Sequence, residues 1–172
     1  MATVRERLNQ WLRDAHAAER QAGSMLSGTA GRNSDYPEFS ERLRQQAQTS
    51  ERHAQMLEEC LGRRDTSTST IKDLTGQVTS FGQTISGLIF GDEVMKAALA
   101  TATFARMLAS SDRILVAAAK KEGDEPTMQA CETLLGNNEE FARWAEGQLS
   151  SLTARYLEAE TTAEREQEPA AG

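Results

Sequence analysis

The sequence predicts an all-α protein, an antiparallel four-helix bundle with a long, partly helical crossover between the second and third helices. Three observations predict it. Four long stretches carry apolar residues at spacings of three and four, the mark of a helix with one buried face. Short polar breaks separate the first stretch from the second and the third from the fourth, which makes two helical hairpins. Ala, Leu, Glu, Gln and Arg are plentiful while Pro is held to three residues, a composition that favours helix over sheet.

The first helix is read from about Thr3 to about Ser27, with Leu8, Leu12, Ala15, Glu19, Ala22 and Leu26 on one face. Glycines at positions 28 and 31 and the polar run after them read as a loop. Tyr36-Pro37-Glu38 opens the second helix, because Pro suits a first turn. It continues to about Arg63 with Phe39, Leu43, Gln46, Ser50, His53, Leu57 and Cys60 inward. Ile71, Leu74, Val78, Phe81, Ile85 and Leu88 then recur at helical spacing between glycines, which reads as the crossover. The third helix starts at Asp92-Glu93 and ends in Lys120-Lys121 before Gly123, so both ends suit the helix dipole. Asp124-Glu125-Pro126 opens the fourth, whose inner face is read as Met128, Cys131, Leu135, Asn138, Ala142, Ala145, Leu149, Leu152 and Tyr156. The bundle is expected to occupy residues 1–157, leaving 158–172 as a disordered acidic tail with little to bury.

A net charge of −7 argues against a phosphate-binding surface, so no nucleic-acid partner is expected. With no signal peptide and no apolar run of bilayer length, the chain is expected to be cytoplasmic with no membrane partner. Cys60 and Cys131 stand within helical patterns, where they serve as small apolar residues or, at one end of the bundle, as a thiol pair. His16 lies beside Arg13 and Asp14 on an expected solvated face.

Nearly the whole length to about Leu157 resembles the YciE/YciF family of ferritin-like bacterial stress proteins. The residues that carry the resemblance are the run from Trp11 to Glu19, Tyr36-Pro37-Glu38-Phe39, Met56-Leu57-Glu58-Glu59-Cys60-Leu61 and Lys72-Asp73-Leu74. Gly91-Asp92-Glu93-Val94 with Lys96, Cys131-Glu132, and Trp144-Ala145-Glu146 complete the set. The resemblance implies a ferritin-like bundle and iron-binding or ferroxidase-like chemistry in stress response.

A di-iron site in such a bundle takes a Glu from each of two helices and Glu-x-x-His from each of the others. Glu19 stands where the family carries its first glutamate, and it either faces inward or flanks the stripe and reaches water. On the second helix Ser50 precedes His53 by three residues, so Glu-x-x-His is absent, and His53 is either a hydrogen-bonded core residue or a ligand. From Val94 to Ser111 the third helix has no Asp, Glu or His; family carboxylates would fall near Ala105 and Leu108. On the fourth, Asn138 replaces a charged ligand by an amide, and Glu140 with Arg143 reads as a surface ion pair.

These residues predict a remnant polar cluster of Glu19, Ser50, His53 and Asn138, with hydrogen bonds among Glu19, His53 and Asn138 and no metal. The expected function is a non-catalytic bundle that self-associates, by default as a homodimer, or binds a protein partner, with Trp11, Phe90 and the crossover stripe available for an interface. The alternative is a residual ferroxidase holding iron through Glu19, His53 and Glu139 or Glu140.

Overall fold

The computed structural model describes residues 1–64 and 92–167, with side chains as far as residue 163. The described residues form four helices: α1 (Val4–Arg32), α2 (Pro37–Arg63), α3 (Glu93–Glu122) and α4 (Glu125–Gln167). The expected crossover, with Phe90, lies outside the described residues.

The helix ends are set by local chemistry. Thr3 caps α1 through a reciprocal box: its side chain accepts from the Glu6 backbone N–H at 3.2 Å, and Glu6 Oε2 accepts from Thr3 N at 2.7 Å. α1 runs five residues beyond the expected end at Ser27, through Gly28 and Gly31. Here polar side chains, rather than a left-handed glycine, satisfy the last carbonyls. Asn33 Nδ2 donates to Thr29 O at 2.9 Å, and the Ser40 hydroxyl lies 3.1 Å from Ala30 O and 2.5 Å from Asn33 O. α3 ends as expected at Gly123, whose φ of 80° lets its own N–H and that of Asp124 both reach Ala119 O at 3.0 Å. Asp124 Oδ1 then accepts from Thr127 N at 3.1 Å and starts α4.

Each helix packs antiparallel to its neighbours: α1 on α2 and α3, α4 on α3 and α2. Two contacts mark the ends of the bundle. Arg32 at the end of α1 pairs with Glu93 at the start of α3 at 2.9 Å. At the opposite end Arg64, following α2, pairs with Glu122 at 2.5 Å and with Asp124 in the α3–α4 turn. Arg64 and Asp92 therefore sit at opposite ends, so the connection between α2 and α3 joins the two ends of the bundle.

The core divides into two apolar clusters. One contains Ala22, Leu26, Phe39, Leu43, Phe104, Leu108 and Phe141, and the other Leu8, Leu12, Leu57, Leu115, Cys131 and Leu134. On α4 the buried position is Leu134, with Leu135 only half-buried. Cys60 and Cys131 are both buried free thiols in the second cluster, where burial raises both, Cys131 to about 12. α4 continues helical to residue 167, ten residues past the expected end of the bundle, where a disordered tail was expected from 158. Residues 158–163 are exposed on this projecting stretch. No helix of the described residues is long and apolar enough to cross a membrane.

Candidate functional site

A polar layer lies between the two apolar clusters, one helical turn from each. On α1 it is Glu19, between Ala15 and Ala22; on α2 it is Gln46, Ser50 and His53, between Leu43 and Leu57. On α3 it is Asp112, between Leu108 and Leu115, and on α4 it is Asn138, between Leu134 and Phe141. These spacings of three and four are the same as those of the apolar stripes, so each helix turns its polar residue into the core for the reason it turns in its leucines. All six side chains are buried, Glu19 and His53 at 1% exposure and Asn138 at 0%.

Hydrogen bonds join the four helices through this layer. Asn138 Nδ2 donates to Glu19 Oε1 and to Asp112 Oδ2, each at 2.8 Å, so one amide nitrogen bridges two carboxylates. Asn138 Oδ1 accepts from Gln46 Nε2 at 3.4 Å. His53 Nδ1 lies 3.1 Å from Glu19 Oε1, and His53 Nε2 lies 3.1 Å from Asn137 Nδ2. A neutral imidazole protonated on Nδ1 meets both contacts, donating to the carboxylate and accepting from the amide. Two buried atoms, Glu19 Oε2 and Ser50 Oγ, have no hydrogen-bond partner in the protein; ordered waters commonly satisfy atoms of this kind.

Asp112 has the most altered acidity in the layer. Burial pushes it up from 3.8 to about 7, and the Glu19 charge adds to this, against the Asn138 hydrogen bond and His53. Two carboxylates that share a donor in a dry core cannot both ionise cheaply.

Glu19, Ser50, His53 and Asn138 thus occupy one level, and Glu19 takes the inward one of its two readings. Asp112 corrects the expectation that α3 brings no charged group. The ligand-free stretch read on α3 ends at Ser111, one residue before it, while Ala105 and Leu108 sit in the apolar cluster beside it. The signal was present, since Leu108, Asp112, Leu115 and Ala119 form a single stripe, but the flanking Ser110-Ser111 and Arg113 resemble a solvated turn of helix. Asn137 was also missed. It is exposed as a residue, and only its amide reaches in.

The alternative ligand set of Glu19, His53, Glu139 and Glu140 is not gathered. Glu139 pairs outward with Arg113 and, at 3.9 Å, with Arg143; Glu140 pairs across the bundle with Arg42 at 3.4 Å rather than with Arg143. Their position on α4 explains this, because residues one and two beyond the buried Asn138 are rotated about 100° and 200° away from it. His16 is half-buried rather than solvated, and burial lowers it against the pull of Glu58.

The donors present do not fit a di-iron centre. Such a centre needs charged oxygen ligands from all four helices. Here two carboxylates and one imidazole are already joined to amides, and the atom between the carboxylates is an N–H donor that cannot ligate. Among the described residues no group of three or more His, Cys, Asp or Glu could hold a metal ion.

Fold and layer together define an antiparallel four-helix bundle with a buried carboxylate–amide–imidazole network at mid-height. The chain belongs to the family described as "Domain of unknown function (DUF892)", whose model matches residues 3–158. It is also similar to the crystal structure of a protein from Xanthomonas campestris pv. campestris, at 28% identity and a TM-score of 0.76, over 92% of this chain and 99% of that one.

Proposed function

We propose that this protein is a ferritin-like bundle of the YciE/YciF type that has left metal chemistry and acts in stress response as a non-catalytic self-association or protein-binding module. The observation that carries the reading is the Asn138 amide, which takes the place between Glu19 and Asp112 that a cation would need. A di-metal enzyme uses its buried carboxylates to neutralise metal charge. In this chain they accept hydrogen bonds instead, and the network ties four helices into one register, a use well attested for buried polar groups. A cytoplasmic homodimer is the assembly we propose, with exposed Trp11 on α1 and Ile114 on α3 available for contact.

Two measurements test this. Elemental analysis before and after anaerobic Fe(II) loading, with oxygen-dependent oxidation followed optically, should give less than about a tenth of an iron per chain and no oxidation above the protein-free rate, since the layer lacks the charged ligands iron needs. Two irons per chain with fast oxidation would end the reading. Light scattering on a size-exclusion column should return the mass of a dimer, and a monomer that captures no partner would leave the module without a role.

A further inference from the structure

We propose that the central layer is a proton-binding site: Asp112 holds a proton inside the bundle, and its release sets two carboxylates against each other across the Asn138 amide and weakens the packing of α3 and α4 on α1. The inference rests on the reading of the layer as metal-free.

The argument is a count of charge on every element that faces Asp112. α1 contributes Glu19, one carboxylate. α2 contributes His53 and the uncharged Gln46, and α4 contributes only the amides Asn137 and Asn138. Arg113, the next residue on α3, is half-exposed and pairs outward with Glu139. The one group able to carry positive charge is therefore His53, and its Nδ1 contact is with Glu19. Its Nε2 faces the Asn137 amide nitrogen, an N–H donor that favours the neutral ring.

Glu19 thus has the imidazole beside it, whereas Asp112 has only the shared amide as a donor. Of the two carboxylates, Asp112 is the one that burial and its neighbour's charge keep protonated. With the proton in place the layer holds one negative charge and a donor for it. Without the proton it holds two negative charges 2.8 Å from the same nitrogen.

The sign follows from the direction of the shift. Asp112 is raised above its unfolded value of 3.8 to about 7, so the folded protein binds this proton more tightly than the unfolded chain. The contribution to stability is fully present below about pH 4 and is lost as pH rises through about 7.

The test uses the full-length, chelator-treated protein with ¹³Cγ-labelled aspartate. In wild type one aspartate resonance should titrate near neutrality, and that resonance should be missing from Asp112→Asn. In urea denaturation, the wild-type unfolding constant should rise relative to that of Asp112→Asn by up to about tenfold per pH unit between pH 5 and 7. If every aspartate of wild type titrates below pH 5, the inference is overturned, whether or not the variant folds. An identical pH dependence in both proteins would also overturn it. An ordinary Asp112 in metal-free protein would leave the proposed function standing, whereas iron found in the same sample would overturn both.

Discussion

Asn138 Nδ2 lies 2.8 Å from Asp112 Oδ2, on the α3–α4 face, and at the same distance from Glu19 on α1. A single neutral side chain thus holds two acidic ones at the centre of the bundle. Its amide hydrogens are both used, and its oxygen accepts from Gln46, so Asn138 has one orientation that satisfies every neighbour.

Asn138→Asp replaces that donor with a third carboxylate. At pH 7 the substitution should destabilise the bundle by about 3–5 kcal/mol, the cost of leaving buried charge uncompensated. It also turns the layer into a plausible set of metal ligands. Urea denaturation with and without Mn(II) should therefore show the variant regaining stability with the ion while wild type does not change. A variant as stable as wild type in chelator would mean that the amide bridge has no energetic weight.

The fold was legible because the helical period was unbroken. Leu8, Leu12 and Ala15 on α1, or Phe39, Leu43 and Gln46 on α2, leave little choice of buried face, and Gly123 marks the end of α3 without ambiguity. The end of α1 was not legible, since what holds Thr29 and Ala30 in the helix is Ser40, a residue on the next helix. The layer was legible where a polar residue replaced an apolar one within a stripe, as at Glu19, His53 and Asn138. It was missed at Asp112, where polar neighbours hid the stripe, and at Asn137, whose contact with His53 depends on how α2 and α4 approach.

Arg64 is the second polar group whose loss should matter. Its guanidinium, 4% exposed, reaches Asn9 Oδ1 at 2.5 Å, Glu122 at 2.5 Å and Asp124, and its carbonyl accepts from Arg5 at 3.2 Å. One side chain thus fastens α1, α2 and the α3–α4 turn at one end. Arg64→Met keeps most of the aliphatic stem but leaves two carboxylates without a partner. Both retain some contact with water, so the expected loss at pH 7 is about 2–3 kcal/mol rather than the full cost of a sealed pair.

The same clamp should respond to acid. Burial tends to raise Asp124, but hydrogen bonds from Thr127 and Arg64 outweigh it and hold the carboxyl below its usual value. A lowered carboxyl contributes stability that is present above its unfolded value and lost as pH falls through its folded one. The penalty of Arg64→Met should therefore shrink between pH 7 and pH 3. A penalty that stays constant in urea denaturation at both pH values would show that Arg64 acts by packing alone.

α1 and α2 approach most closely at Gly23. A Cβ built there would meet Glu51 Oε1 at 3.0 Å and Ala47 O at 3.5 Å. The first is the end of a flexible, half-exposed side chain paired with Arg20, and the second is ordinary contact. Gly23→Ala should therefore be tolerated, the gain of about 1 kcal/mol in helix propensity offsetting the displacement of Glu51. Gly23→Leu must push the Ala47 backbone away and should cost about 1–3 kcal/mol. Equal thermal midpoints for the two variants would place the helices farther apart than this geometry does.

Truncation after Leu157 tests how much of α4 belongs to the bundle. Past this point the described side chains are exposed, and the interaction lost from the bundled part is the 2.8 Å hydrogen bond from Tyr156 Oη to Glu160 Oε1. Tyr156 keeps Asp92 Oδ1 as an acceptor at 2.7 Å, so its link from α4 to the start of α3 remains. The shortened chain should unfold within about 0.5 kcal/mol of the full-length protein, as expected for changes on an exposed surface. A loss of several kcal/mol would mean that the projecting stretch packs on something, and a simultaneous fall in mass by light scattering would identify that something as a second copy of the chain.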